Sequence, residues 1–458
     1  MPLILGTNSI KDTGYDVANS LRFNPGSSDT LSKTLSTPTN NKKFTFSFWI
    51  KKCENGREQH IVNGGASSSQ FYFNSSDQLY FYDQTAGGTY KTTQVFRDVS
   101  AWYHIVVAED TTQGTASSRI RIYVNGSEIT DFAIETDPTQ NNSSAYNTAA
   151  THTIGTYAVS PSGYYLNGYL AEFVFIDGQQ LDPTSFGEFD EDSPTIWKPK
   201  DVSGLTFGNN GFHLDFENAS SLGADVSGNS NNFNVNNLTS VDQSTDTCTN
   251  NFATMNSLDN YFASSTFSEG NLKIVTTGGN ITYNTSTIGF SSGKWYMETK
   301  LSGSAGYTIG VVRGVATAND NSNKLGNRSD GWSYDDGGDV EHNGGSLTGS
   351  FASYSSGNII GIYADLDNNK LYFSKDGSLQ NSGTGLTLTA GTYFFALGDN
   401  NSSNSSTYEV NFGSPSFSIS SGNTDGEFGN FEYSTTITGD GASKTFKALC
   451  TKNLAEFG

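Results

Sequence analysis

Phe44-Thr45-Phe46-Ser47-Phe48-Trp49-Ile50 is the stretch on which the reading of this chain turns. Apolar and small polar residues alternate over its first five positions, the period of a strand with one face against a core. The pattern recurs down the chain. Phe71-Tyr72-Phe73 and Leu79-Tyr80-Phe81-Tyr82 flank Asn74-Ser75-Ser76-Asp77, a hairpin composition. Trp102 to Val107 is apolar except for His104. Ile120, Ile122 and Val124 then alternate with Arg119, Arg121 and Tyr123 up to Asn125-Gly126. That dipeptide suits a two-residue turn whose central positions both need positive φ. Tyr169 to Ile176 reads as a further strand, closed by Asp177-Gly178. Helical periodicity is nearly absent, and Pro183 to Phe189 allows a turn or two at most.

Asp192-Ser193-Pro194 through Trp197-Lys198-Pro199-Lys200 interrupts the pattern with charges and prolines, which a central ladder excludes. From Gly211 to about Gly270 the chain is rich in Asn, Ser and Asp with isolated Phe and Leu, and reads as long loops. Strand patterning resumes at Lys294-Trp295-Tyr296-Met297-Glu298 and Tyr307 to Val312. Ile359 to Phe373 is a hairpin joined at Asp367-Asn368-Asn369, and Lys375-Asp376-Gly377 makes the next turn. Short, closely spaced strands without helices specify an all-β chain: two antiparallel, jelly-roll-type sandwiches in tandem. The expected divisions are a first sandwich over 1–200, a loop-rich connector over 201–269, a second sandwich over 270–415, and C-terminal strands and tail over 416–458.

Composition narrows the function. Hydrophobic residues make up only 34% of the 458, yet 31 Phe, 23 Tyr and 5 Trp give a folding chain enough to bury. The net charge of −21 repels phosphate backbones and anionic membranes, so no nucleic-acid partner is expected. No run approaches the roughly 20 apolar residues of a membrane-spanning helix. The apolar run in MPLILGTNSIKDTGYD is too short for a signal-peptide core, so synthesis in a cytoplasm without a leader is expected. Cys53, Cys248 and Cys450 are scattered and odd in number, and read as small buried hydrophobes.

Two sets of motifs carry a family resemblance. NSLRFNPGSSDTLSKT, FTFSFWIKK, WYHIVVAEDTT, IRIYVNGSEI and GYLAEFVFIDGQQLDPTSFGEF, across residues 15 to 200, resemble a laminin-G-like, concanavalin-type sandwich. SGKWYMETKL, YTIGVV, GWSYDDGGDVEHNGG, GNIIGIYADLDNNKLYFSKDG and YEVNFG, across residues 270 to 413, resemble a SPRY domain in that family's order. GFHLDFENASSLGADVSGNSNNF, DTCTNNFATMN and FKALCTKNL are similar to segments of marine tailed-bacteriophage proteins. The resemblance implies a virion-surface, tail-fibre-like protein that adheres to a host glycan or receptor, with other virion proteins as partners and a homotrimer as one possible assembly. The alternatives are a capsid or tail decoration protein with a structural role and, further off, a glycan depolymerase.

No catalytic set emerges. Glu188 and Asp190 could share a strand face as a glycosidase pair. Laminarinase-like enzymes, however, carry a glutamate two residues beyond the aspartate, where this chain has Asp192. A solvated acidic turn is the expectation, and the protein is read as a non-enzyme. His60, His104, His152, His213 and His342 lie in no nucleophile or zinc context. No cofactor is required. Calcium is the one metal considered, because laminin-G-like folds often hold it on loop oxygens. Asp77, Asp110 and Asp177 are the candidate ligands, with Asp335-Asp336, Asp215 and Asp225 also weighed against plain turn roles. For glycan binding the candidates are Tyr72, Tyr80 and Tyr82, which pleating places opposite Phe71, Phe73, Leu79 and Phe81, together with Tyr164 and Tyr165 in a Ser-Gly loop. Trp332 and Tyr334 are expected in the core of the second sandwich.

Overall fold

A computed structural model describes residues 14–65, 69–157, 164–314, 324–401, 403 and 405–458. The chain is nearly all β, and the described residues divide into two compact units, 14–249 and 250–458. Among them the one α-helix is Thr451–Phe457.

The first unit is a pair of antiparallel sheets. One runs in the order Ser127–Glu128, Ile120–Val124, Trp102–Asp110, Lys43–Lys52, Gly168–Asp177, Ser20–Phe23 and Gln243–Ser244, with Phe212–Leu214 added to Gly168–Asp177. The other runs Phe132–Thr136, Gly88–Val95, Gln78–Asp83, Ser69–Phe73, Gln59–Gly64, Thr151–Ile154, Thr30–Thr34 and Asn234–Asn236. Phe44, Phe46 and Phe48 of the first sheet meet Phe71, Phe73 and Phe81 of the second in one core. The alternation read from Phe44 to Ile50 thus faces inward at its phenylalanines. Thr45, Ser47 and Trp49 point to the sheet's other face, and that face is also buried. Trp197 packs there with Trp49 and Trp102, and Phe186, Val202 and Phe207 pack with Val106, Val174 and Ile176. At the Asn125-Gly126 turn both residues have positive φ, 47° and 79°. Gly126 is obligatory there for a second reason: a Cβ on it would lie 2.4 Å from the Trp197 ring.

The stretch expected as a connector, 201–269, is shared between the units. Phe212–Leu214, Asn234–Asn236 and Gln243–Ser244 pair with strands of the first sandwich. Phe212, Leu214, Phe216, Leu222, Phe233 and Leu238 enter its core. Met255–Asn260 and Thr266–Ser268 pair within the second unit. All of these strands but Met255–Asn260 have two or three residues, too few for alternation to be recognised in sequence.

The second unit is again two sheets about one core, antiparallel except where Lys447–Ala448 joins Lys294–Gly303, and centred on strands Tyr307–Arg313 and Tyr393–Asp399 in one and Lys294–Gly303 and Ile359–Asp365 in the other. The Ile359–Asp365 and Lys370–Lys375 hairpin forms as expected, with Asn369, Asp376 and Gly377 all at positive φ. Trp332 and Tyr334 are buried in that core. Residues 416–458, expected as C-terminal strands and tail, carry the strands Thr436–Gly439, Ala442–Thr445 and Lys447–Ala448. Phe431, Phe446 and Ala448 pack on Tyr296, Tyr363 and Tyr372, on the face of the second sheet turned away from the main core. Glu298 anchors this strap. Its buried carboxylate accepts hydrogen bonds from the Glu432 and Tyr433 backbone N–H groups, at 2.7 and 3.3 Å, and from Asn411 Nδ2 at 2.8 Å.

Candidate functional site

The outward tyrosines lie on the second sheet of the first sandwich. Along Ser69–Phe73 and Gln78–Asp83, Phe71, Phe73, Leu79 and Phe81 are buried while Tyr72, Tyr80 and Tyr82 are half-exposed. Register then brings rings together across strands: His60 lies opposite Tyr72, and Tyr72 opposite Tyr80. Directly opposed side chains on neighbouring strands stand about 5 Å apart, the distance at which flat rings stack. The His60 and Tyr72 centroids are 4.6 Å apart at 9°, and those of Tyr72 and Tyr80 are 4.9 Å apart at 26°. Tyr157 and Tyr164 close the His60 end, with centroids 5.0 and 5.5 Å from the imidazole. Gln70 Nε2 donates to the Tyr157 hydroxyl at 3.4 Å, and the His60 N–H donates to the Tyr164 carbonyl at 3.0 Å.

Both faces of Tyr72 are covered by neighbours, so the row presents ring edges and phenolic hydroxyls. At its far end, the second face of Tyr80 meets no aromatic ring among the described residues. Tyr82 is the next outward residue of the same strand, opposite Gln70 and Thr89. Tyr82 and Tyr165, both half-buried, take no part in the ring contacts among the described residues. Burial, then the charge of Glu58, push the Tyr72 phenol well above its ordinary range, so it is a neutral hydroxyl able to donate and accept. His60 and Tyr157 were missed in the sequence because their place in the row depends on strand pairing and on a distant loop.

The three aspartates considered for calcium do other work. Asp77 accepts from Lys52 Nζ, from the Gly56 N–H at 2.9 Å and from Arg97 Nε at 3.2 Å, compensating a lysine whose side chain is 1% exposed. Asp110 accepts from the Thr112 N–H at 2.9 Å and pairs with Lys43 at 3.0 Å. Asp177 accepts from the Thr39, Asn40 and Asn210 N–H groups and from Asn147 Nδ2 at 2.6 Å, tying four chain segments together. No cluster of three or more metal-ligating side chains occurs among the described residues. Asp225 organises its own loop through the His213, Ser227 and Asn231 N–H groups, and Asp335 pairs with Lys324.

Glu188 lies on a two-stranded ribbon, Gly187–Phe189 with Trp197–Pro199, and Asp190 just beyond its end; both reach Lys198, at 3.8 and 3.2 Å. His104 is buried between Trp49 and Trp197, accepting from Trp197 Nε1 at 2.9 Å and bonded to Ser47 at 2.9 Å. Burial pushes its pKa down to about 3, so it stays neutral. His342 stacks on Trp332, with centroids 3.9 Å apart. Cys53 and Cys450 are buried as expected; Cys248 is half-buried. One strained group was not anticipated. Glu172 sits at φ 48° in a bulge of a central strand, bonded to His213 at 2.9 Å and accepting from the Tyr15 hydroxyl at 3.3 Å.

The described residues form two sandwiches, the first bearing an outward aromatic row. Comparison with known families agrees. Residues 25–181 match the concanavalin A-like lectin/glucanases superfamily, and residues 294–412 match the SPRY domain. The chain therefore carries a concanavalin A-like domain followed by a SPRY domain. Among solved structures, it is similar to the SPRY domain of human HERC1 at 19% identity, over 34% of this chain and 96% of that one, with a TM-score of 0.29. It is similar to a heptameric SAP-like pentraxin of Limulus polyphemus at 16% identity, over 37% and 80%, with a TM-score of 0.27. A Bacteroides ovatus protein described as carbohydrate-binding is similar at 15% identity, over 48% and 59%, with a TM-score of 0.32. No curated protein matches the chain.

Proposed function

We propose that this protein is a virion-surface adhesion protein of a tailed bacteriophage that binds a host-surface glycan through the outer aromatic face of its first sandwich. The observation that carries the glycan reading is the His60-Tyr72-Tyr80 row, closed by Tyr157 and Tyr164 and half-exposed at its tyrosines. Tyrosine suits sugars because its ring contacts C–H surfaces while its hydroxyl meets theirs. The virion reading is supported by the resemblance of the 211–233, 246–256 and 446–454 segments to phage proteins. Binding is the whole activity in this reading, and no catalytic step is assigned. A glycan array probed with the full chain, and with Tyr72→Ala and Tyr80→Ala, tests it. Retention of the same glycans by both variants would exclude the row as the site.

One feature favours a decoration role instead. Phe132–Thr136 is an edge strand with four of its five residues exposed, a ladder open to another subunit. The position of the chain in a virion density map separates the two readings.

A further inference from the structure

The ring row continues across the sheet into a different chemistry. Tyr80 is opposed on the next strand by Lys91, and Lys91 in turn by Ile134 on the edge strand. His60, Tyr72, Tyr80, Lys91 and Ile134 thus form one line across five strands, about 19 Å long at the usual strand spacing. Lys91 is half-buried and takes no ion pair among the described residues. Its neighbours on this line are a tyrosine and the 37%-exposed Ile134. The register sets Lys91 directly across from Tyr80, on the side of the ring that Tyr72 does not cover.

We infer that this end of the row takes an acidic sugar, a pyranose bearing a carboxylate or a sulfate ester, with its ring against Tyr80 and its anionic group on Lys91. The inference rests on the glycan reading above and adds the substrate class. A lysine is a compact point charge with three donors that serves either anion. Ile134 beyond it supplies an apolar border that strengthens the ion pair by excluding water. A chain of net charge −21 repels a polyanion at long range. The fitting ligand therefore carries isolated acidic groups in an otherwise uncharged oligosaccharide.

The test uses the full chain on an array of neutral, singly uronylated, singly sulfated and heavily sulfated oligosaccharides, with wild type, Lys91→Met, Lys91→Arg and Tyr80→Ala compared at low and high salt. The expected result is binding concentrated on singly acidic glycans. Lys91→Met should weaken it about tenfold at low salt, and Lys91→Arg should retain most of it. The uronate and sulfate arms show which anion is used. Binding of neutral glycans that Tyr80→Ala abolishes and Lys91→Met leaves unchanged would overturn this inference while leaving the aromatic row as the site. A preference for heavily sulfated chains would overturn the isolated-charge argument. No binding to any glycan would remove the glycan reading itself, and binding unmoved by Tyr80→Ala would exclude this end of the row as the site and overturn the inference.

Discussion

Asp399→Asn should flatten the pH dependence of stability in the second sandwich. Asp399 ends the strand Tyr393–Asp399 and is fully buried. One carboxyl oxygen accepts from the Thr276 hydroxyl at 2.6 Å, and the other makes no well-formed hydrogen bond. Burial is the dominant cause that raises its pKa to about 7, the bonds from Thr276 and Ser406 opposing it. The unfolded chain releases this proton near pH 4, while the folded chain holds it until about pH 7. Across that window the native state binds more protons than the unfolded state, so stability falls as pH rises. At about 1.4 kcal/mol per pH unit, three units amount to about 4 kcal/mol for this one group. Above pH 7 both states are ionised and the slope vanishes. Asparagine has no proton to release, so the wild-type curve should converge on, or cross, that of the variant as pH falls from 7 to 4. Native-state hydrogen exchange of the Tyr393–Asp399 and Ser406–Asn411 amides, compared between wild type and variant at each pH, reads this unit within the full chain. A constant difference between the two proteins from pH 4 to 7 would refute the argument.

The same logic applies in the first sandwich to Glu109. It is fully buried with neither carboxyl oxygen well hydrogen-bonded, and the Ser144 hydroxyl beside it is committed to Asp83. Burial and then the Asp83 charge hold it protonated well above the ordinary carboxylate range, so Glu109→Gln should stabilise the Trp102–Asp110 strand increasingly as pH rises above 5, again by hydrogen exchange. Asp77→Ala leaves Lys52 charged and buried and should cost about 3–5 kcal/mol in urea denaturation, with Lys52→Met in the same background recovering part of it. Phe446→Ala removes a ring packed on Tyr363 and Tyr372 and should cost about 3–5 kcal/mol, exposing the 416–458 strap to limited proteolysis before the rest of its unit. Gly126→Ala should cost more than the roughly 1 kcal/mol of a positive-φ glycine replacement, because its methyl group runs into Trp197; Trp197→Leu in the same protein should relieve the excess in thermal unfolding.

The antiparallel sandwiches were legible because alternation is a local property: Phe44, Phe46 and Phe48 declare an inward face without reference to any other strand. The turns at Asn125-Gly126 and Asp376-Gly377 were equally legible, since positive φ is a demand that few residues meet. The outward direction of Tyr72, Tyr80 and Tyr82 followed from the same pleat.

What lies next to those tyrosines was decided in three dimensions. Stacking of His60 on Tyr72 and of Tyr72 on Tyr80 depends on register between three strands, and the opposition of Tyr80 to Lys91 on a fourth. Asp77 reads as a turn residue or a calcium ligand until the fold delivers Lys52 and Arg97 to its two oxygens. The strands of 201–249 and the strap of 416–458 became visible only once a sheet existed for them to cover. Local pattern specifies which way a side chain points; long-range pairing specifies what it meets, and the chemistry of this surface belongs to the second.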